Sequence, residues 1–164
     1  MRLWVVVPAY NEAPGITATL RALAAQTDRD FSLVVVDNDS TDGTADVVRS
    51  CGFPGDLHVV HETRKGTGAA ADTGMRYAIA HGATHLARTD ADCLPEPDWT
   101  ARVRAAFGDG LQLIAGRLRP RTDEAPLPPL RRGAARPSSE PPKRPRSSDG
   151  SGPATGGPAT SAPM

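Results

Sequence analysis

Aromatic residues and cysteines are scarce in this 164-residue chain. Aromatic side chains make up 4% of it, and its two cysteines, Cys51 and Cys93, lie far apart. That spacing excludes a Cys-x-x-Cys zinc or redox motif and indicates reduced thiols, so we expect a cytoplasmic protein. None of the four histidines has the spacing of a zinc site, and metal ligation by histidine is not expected.

Long apolar runs are missing as well. The opening run from Leu3 to Val7 ends at Pro8, too early for a signal peptide. No other run approaches the roughly 18 residues that a membrane-crossing helix needs. The sequence therefore predicts a soluble chain without an integral membrane segment.

The composition changes abruptly near residue 118. Eleven of the sixteen prolines follow Leu118, in a stretch with almost no large apolar side chains. We expect residues 119–164 to form a disordered tail rich in proline, arginine, glycine and serine, because this composition buries too little surface to offset the entropy of ordering. Residues 1–118 form the predicted domain and hold 15 acidic and 11 basic side chains, against 4 and 8 in the tail. An acidic domain argues against a nucleic-acid partner.

The apolar pattern within residues 1–118 predicts alternating strands and helices. Continuous β-branched runs indicate buried strands, and apolar residues three or four apart indicate helices with one buried stripe. The predicted strands are 3–7, 31–36, 57–60, 85–88 and 111–115. Three of the predicted helices are 16–24, 67–80 and 98–107, the last with Asp98 as its cap. The remaining helix begins at a cap within 40–42 and runs through Val48. This order predicts an α/β fold with a mostly parallel sheet and helices on both faces.

Polar side chains directly follow three of the predicted strands. They form the segments 8–12, 37–44 and 90–92, which read PAYNE, DNDSTDGT and DAD. In open sheets of this kind ligands bind beyond the carboxyl ends of the strands. Turn and helix-cap chemistry accounts for much of each segment taken alone. Their coincidence at one edge of one sheet favours a ligand site.

Asp90 and Asp92 carry the most specific chemistry of the three segments. Two carboxylates two residues apart, just past a strand, can converge on one hard divalent cation. Mg²⁺ and Mn²⁺ prefer oxygen ligands, and Mg²⁺ is usually held by only one or two protein carboxylates, with water and phosphate oxygens as its other ligands. A cation held in this way would bridge a diphosphate and neutralise the charge that develops on it as a leaving group.

The segments 5–12, 35–44 and 88–92, in this order and spacing, resemble family 2 glycosyltransferases. The resemblance covers about residues 3–118, roughly the amino-terminal half of such a catalytic domain. It implies a GT-A fold and a UDP- or GDP-linked sugar donor, whose sugar passes with inversion to an acceptor that the sequence does not identify. A divalent metal ion, Mn²⁺ or Mg²⁺, is the implied cofactor.

The resemblance also implies roles for individual residues. The residues expected to line the nucleotide pocket are Pro8, Tyr10 and Glu12, and those expected to face the base and ribose are Asp37 and Asn38. Asp90 would reach the ribose or diphosphate. Asp92 would hold the metal, with Asp90 as the second candidate metal ligand. Many family members have an acidic residue where Asn38 stands. An amide can still pair with a uracil edge, which leaves the choice of base open.

Lys65 is a further candidate for binding the donor. It lies in the segment 64–74, RKGTGAAADTG, which resembles the glycine- and alanine-rich segment that leads into a helix in the family. A helix amino terminus with a lysine beside it suits an anionic diphosphate. A glycine-punctuated helix start with one solvated lysine explains the segment equally well.

The carboxylate that an inverting transferase needs as general base is not found in the sequence. The only acidic pair downstream, Asp123-Glu124, lies in proline-rich sequence too soon after the last predicted strand. Residues 119–164 look like a wrong reading frame of a GC-rich gene, a hypothesis that sequencing of the locus tests. A non-catalytic nucleotide-sugar-binding or interaction fragment is therefore an alternative. A sugar nucleotidyltransferase is disfavoured, because no glycine-rich run follows the first strand.

Overall fold

The structure is a computed structural model that describes residues 1–117 and residue 119. The predicted disordered tail, apart from Arg119, lies outside the described residues. Within them, strands and helices alternate as predicted: β1 (Leu3–Ala9), α1 (Ile16–Ala24), β2 (Phe31–Asp37), α2 (Thr44–Ser50), β3 (Asp56–His61), α3 (Thr67–Ala80), β4 (His85–Arg88) and α4 (Trp99–Gly108).

The four strands form one parallel sheet in the order β3-β2-β1-β4. Because β1 lies between two neighbours and is covered on both faces, all seven of its residues are buried. Successive side chains of a strand point to opposite faces. Leu3, Val5 and Val7 join the core beneath α1 and α2, whereas Trp4 and Val6 join the core beneath α3. The predicted α/β fold with helices on both faces is confirmed.

Helix α3 lies unusually close to the sheet. Its buried residues are small, namely Ala70, Ala71, Gly74 and Ala78. A Cβ atom built on Gly74 would lie 2.5 Å from Val6 Cγ1 and 2.8 Å from Val36 Cγ2. The small residues let α3 pack closely against β1 and β2.

Two helix caps differ from the sequence prediction. Asp98 precedes α4, but its side chain makes no capping hydrogen bond. Gln26 Oε1 instead accepts hydrogen bonds from the Thr100 amide and hydroxyl, at 3.0 and 3.1 Å. The cap residue of α2 is Gly43, in a left-handed conformation, while Asp42 Oδ1 accepts from the Thr44 amide at 3.0 Å. Sequence spacing missed the Gln26 cap because its donor and acceptor are 74 residues apart.

The prediction of a fifth strand at 111–115 was wrong. The structure assigns no strand there, and Leu113 is 91% exposed. The Leu111 amide donates to Ala106 O at 3.2 Å, so the segment begins as an extension of the α4 turn. An apolar run forms a strand only when a neighbouring backbone edge pairs with it, and within the described residues none does.

Both cysteines are free. Among the helices that the structure describes, none is long and apolar enough to cross a membrane.

Candidate donor-binding site

The carboxyl ends of the strands surround a cleft of about 530 Å³. Seven of the eight residues predicted for the site line it: Pro8, Tyr10, Glu12, Asn38, Lys65, Asp90 and Asp92. They come from the ends of β1, β2 and β4 and from the loop before α3. Parallel strands bring these distant segments together because their carboxyl ends all lie on the same edge. Gly66, Thr67 and Ala70 at the start of α3 complete the wall.

Hydrogen bonds join the loop after β1 to the loop after β2. The Asn11 amide donates to Ser40 Oγ at 3.0 Å, and the Glu12 amide donates to Thr44 Oγ1 at 2.9 Å. The Ala13 amide donates to Asp42 Oδ2 at 3.0 Å. The polar residues that follow Asp39 thus hold the first loop in position. Local cap chemistry, in which Asp42 Oδ1 also accepts from the Thr44 amide, explains only part of the segment.

Asp90 and Asp92 lie at opposite ends of the short turn after β4 and differ in their partners. Asp90 Oδ1 accepts from Arg88 Nη2 at 2.9 Å. Within the described residues, Asp92 makes no ion pair. Burial, and then the charges of Asp92 and Asp42, raise the pKa of Glu12. Glu12 and Asp92 both line the cleft.

The chemistry of the cleft fits a hard divalent cation. Its acidic lining residues are Glu12, Asp90 and Asp92, and Lys65 is its one basic lining residue in the part of the chain that the structure describes. The charged lining of the cleft is therefore net negative. No cluster of three or more potential metal-binding side chains is present among the described residues.

Lys65 connects three sides of the cleft. Its Nζ lies 3.1 Å from Asp39 Oδ2 and 3.1 Å from the Asp39 carbonyl oxygen. The same ammonium group lies 4.6 Å from the centroid of the Tyr10 ring, within the range of a cation–π contact. Asp39 holds a left-handed backbone conformation, with φ of 61°, which aspartate tolerates better than most residues. The lysine is thus held across the cleft by a carboxylate that the sequence analysis did not single out.

Asp37 is the one predicted residue that does not line the cleft. Its side chain is buried, and its Oδ2 lies 3.3 Å from His61 Nδ1. Its Oδ1 has no hydrogen-bond partner in the part of the chain that the structure describes. An unpaired buried carboxylate oxygen is costly, and ligands or ordered water commonly satisfy such atoms.

Glu62 is a buried residue of the site region that sequence reasoning missed. Hydrogen bonds from the Arg64 guanidinium, the Thr73 hydroxyl and the Arg64 amide lower the pKa of Glu62 to about 2. The carboxylate thereby joins the loop before α3 to the body of that helix. The strand-end rule could have found it, because Glu62 directly follows β3 as Asn38 follows β2.

Acid should weaken the fold partly through Glu62. A group whose pKa is lower in the folded than in the unfolded state stabilises the fold above the unfolded value, and this contribution is lost as the pH falls toward the folded value. For Glu62 the window runs from its ordinary value of 4.5 down to about 2. In urea unfolding at a series of pH values, Glu62→Gln should show a smaller loss of stability across this window than the wild type. Glu96→Gln, at an exposed glutamate, should follow the wild type. Equal slopes for wild type and Glu62→Gln would contradict the assignment.

An open parallel sheet whose strand ends frame a polar cleft is the architecture of α/β nucleotide-binding domains. The sequence matches the model of glycosyl transferase family 2 over residues 4–158. The chain belongs to this family. The match extends past residue 118, where the motif resemblance ends, into residues that the structure does not describe.

Two relatives illustrate the similarity. Glycosyltransferase AglE of Haloferax volcanii is 35% identical over 117 residues, which are 68% of this chain and 38% of that protein. Undecaprenyl-phosphate mannosyltransferase of Micrococcus luteus is 32% identical over 120 residues, which are 71% of this chain and 49% of that protein. The chain thus spans half or less of the length of these relatives.

The fold is similar to that of a solved structure with a bound nucleotide. The crystal structure of S. aureus TarS 1-349 in complex with UDP superposes with a TM-score of 0.57 and 27% sequence identity. The superposition covers 74% of this chain and 38% of that one. The GT-A-like fold expected from the motifs is therefore confirmed.

Proposed function

We propose that the cleft binds a nucleotide-diphosphate-sugar donor together with a divalent cation, as the donor half of a sugar-transfer site. The observation that carries the proposal is the convergence of three separately predicted strand ends on one cleft, whose charged lining residues are three carboxylates and one lysine. TarS, the structural relative described above, is complexed with UDP, which supports a UDP-type ligand. UDP- and GDP-linked sugars both remain candidates.

Each part of the cleft has a proposed task. Tyr10 and the buried end of β2 form the side where the base and ribose would lie. Lys65 and the amino terminus of α3 offer positive charge to the diphosphate. Asp92, with Asp90 beside it, would hold Mn²⁺ or Mg²⁺. When bound, the cation supplies Lewis-acid stabilisation of the diphosphate leaving group.

Titration calorimetry tests the proposal on the full chain. UDP, GDP and their sugar conjugates are titrated with and without Mn²⁺. We expect heat of binding for at least one nucleotide in the presence of Mn²⁺, and a much weaker signal without it, because the acidic cleft repels an uncompensated diphosphate. Absence of binding under all conditions, or equal binding without the metal, would refute the proposal.

Asp39 competes with the donor for Lys65, so its removal should strengthen binding. Asp39→Asn removes the negative charge that pairs with Lys65, while the contacts of Lys65 Nζ with the Asp39 carbonyl oxygen and the Tyr10 ring can remain. Because the competing ion pair is exposed and weak, its removal should raise nucleotide affinity by about two- to fivefold. The same charge change at exposed Asp46, which pairs with Arg49 on α2, is the control and should leave the affinity unchanged. Weaker binding by Asp39→Asn would show that Asp39 supports the ligand instead.

Donor binding without transfer is the second candidate function. Within the described residues, the acidic lining of the cleft consists of residues that the family resemblance assigns to donor and metal, which leaves none for a general base. GDP-mannose and undecaprenyl phosphate are one suitable probe pair, since a relative is an undecaprenyl-phosphate mannosyltransferase. Mn²⁺-dependent nucleotide binding without release of GDP from any donor–acceptor pair tested favours this second candidate. Turnover favours a complete transferase.

A further inference from the structure

Asn38 has an unusual position for a residue expected to recognise a nucleotide base. It follows β2 at the floor of the cleft and is 3% exposed. Its backbone amide donates to Ala9 O at 2.8 Å, which fixes the residue against the end of β1. The side chain can therefore act only on groups that surround it at this junction.

The carboxamide of Asn38 is almost fully used within the chain. Nδ2 donates to the carbonyl oxygens of Glu62 and Arg64, at 2.8 and 2.7 Å. Oδ1 accepts from the Gly66 amide at 2.8 Å. Both N–H groups are thus engaged, and one lone pair on Oδ1 is the only hydrogen-bonding capacity left. The Asn38 carboxamide therefore cannot pair with a base edge through a donor and an acceptor at the same time.

These three bonds hold the segment 62–66, here called the β3–α3 loop, at both of its ends and in the middle. The loop carries Lys65 to the cleft and ends at Gly66, whose φ of 119° is a conformation that side chains rarely adopt. Glu62 secures the loop from the other side through Arg64 and Thr73. The position of Lys65 relative to a bound diphosphate therefore depends on Asn38.

We propose that Asn38 is a positioning residue that sets the β3–α3 loop and thereby Lys65, and that it does not select the nucleotide base. The inference rests on the proposed donor site. The remaining lone pair on Asn38 Oδ1 can accept a hydrogen bond from uracil or from guanine, since both bases offer N–H groups. An aspartate in its place has no N–H and would set a carboxylate against the two carbonyl oxygens, which repels the loop.

Asn38→Asp tests the proposal in two measurements. Calorimetry with UDP and with GDP, each with Mn²⁺, should show about a tenfold loss of affinity for whichever nucleotides bind, by the same factor for each, as two hydrogen bonds of ordinary strength are lost. Hydrogen exchange should show faster exchange of the Gly66 amide. A loss confined to one base, with Gly66 exchange unchanged, would overturn the proposal.

A double-mutant cycle with Lys65→Met separates positioning from general destabilisation. If Asn38 acts through Lys65, Asn38→Asp should weaken binding far less in the Lys65→Met background than in the wild type. Full additivity would overturn the proposal.

Glu62→Gln loosens the same loop from its other side and should give the same base-independent loss of affinity, which keeps the test valid if Asn38→Asp does not fold. Failure of the wild type to bind any nucleotide would refute the proposed function, a result distinct from base-selective or additive losses.

Discussion

Replacement of Gly74 by alanine is expected to lower the free energy of unfolding by about 1–3 kcal/mol. The new methyl group would lie 2.5 Å from Val6 Cγ1 and 2.8 Å from Val36 Cγ2, in the core between α3 and the sheet. Both valines are fully buried, so neither can move aside without disturbing its strand. Interiors are packed too densely to accept an added carbon without such shifts. Denaturant unfolding of the full chain measures the effect.

Gly68→Ala on the same helix is the matched control. A Cβ atom at Gly68 has no neighbouring atom within 4 Å, and the substitution should raise stability by up to about 0.5 kcal/mol through its higher helix propensity. The two substitutions add the same methyl group to one helix and differ in what it meets. Equal effects of the two would contradict the close packing of α3 on β1 and β2. Gly74→Ala should also weaken nucleotide binding, because displacement of α3 moves Gly66 and Thr67 at the cleft wall.

Substitution of Asp92 by asparagine is expected to reduce Mn²⁺-dependent nucleotide affinity by at least about tenfold, by analogy with the losses that follow disruption of a metal's outer ligand partners. Asp92 lines the cleft and makes no ion pair within the described residues, so its charge is available to a cation. Without Mn²⁺ the same substitution should have the opposite effect on nucleotide affinity. Loss of one negative charge from an acidic cleft reduces repulsion of the diphosphate, and the weak residual affinity should rise slightly.

Asp109→Asn provides the control for charge alone. Asp109 is exposed at the end of α4 and does not line the cleft. Its substitution should change neither the metal-dependent nor the metal-free affinity. An Asp92→Asn variant that keeps its full response to Mn²⁺ would remove Asp92 from the metal site.

Much of the fold could be predicted because local pattern and tertiary position agree. The continuous run Leu3–Val7 indicates a strand buried on both faces, and β1 is an inner strand of the sheet. Helix α3 begins and ends where glycine and alanine content predicted, from Thr67 to Ala80. The segment 111–115 shows the limit of the same reasoning. Its apolar run resembles a strand, yet pairing depends on a neighbouring edge that local sequence does not specify.

The sequence predicted which strand ends form the candidate site. It did not predict the hydrogen bonds within that site. Asn38, for example, bonds to a loop 24 to 28 residues later. Such contacts arise from the order of strands in the sheet, because β2 and β3 become neighbours only after α2 crosses over. Residue types in sequence could show that Asn38 is polar and well placed. They could not show that its amide is already engaged.

Paramagnetic broadening by Mn²⁺ in ¹H–¹⁵N NMR spectra of the full chain, recorded with UDP or GDP present, tests the location of the donor site most directly. Mn²⁺ broadens the resonances of nearby amides steeply with decreasing distance. The predicted result is broadening centred on residues 90–92 that extends to Glu12 and is lost in Asp92→Asn. Broadening centred elsewhere, or unchanged in Asp92→Asn, would contradict a metal-bridged nucleotide site at the carboxyl edge of the sheet.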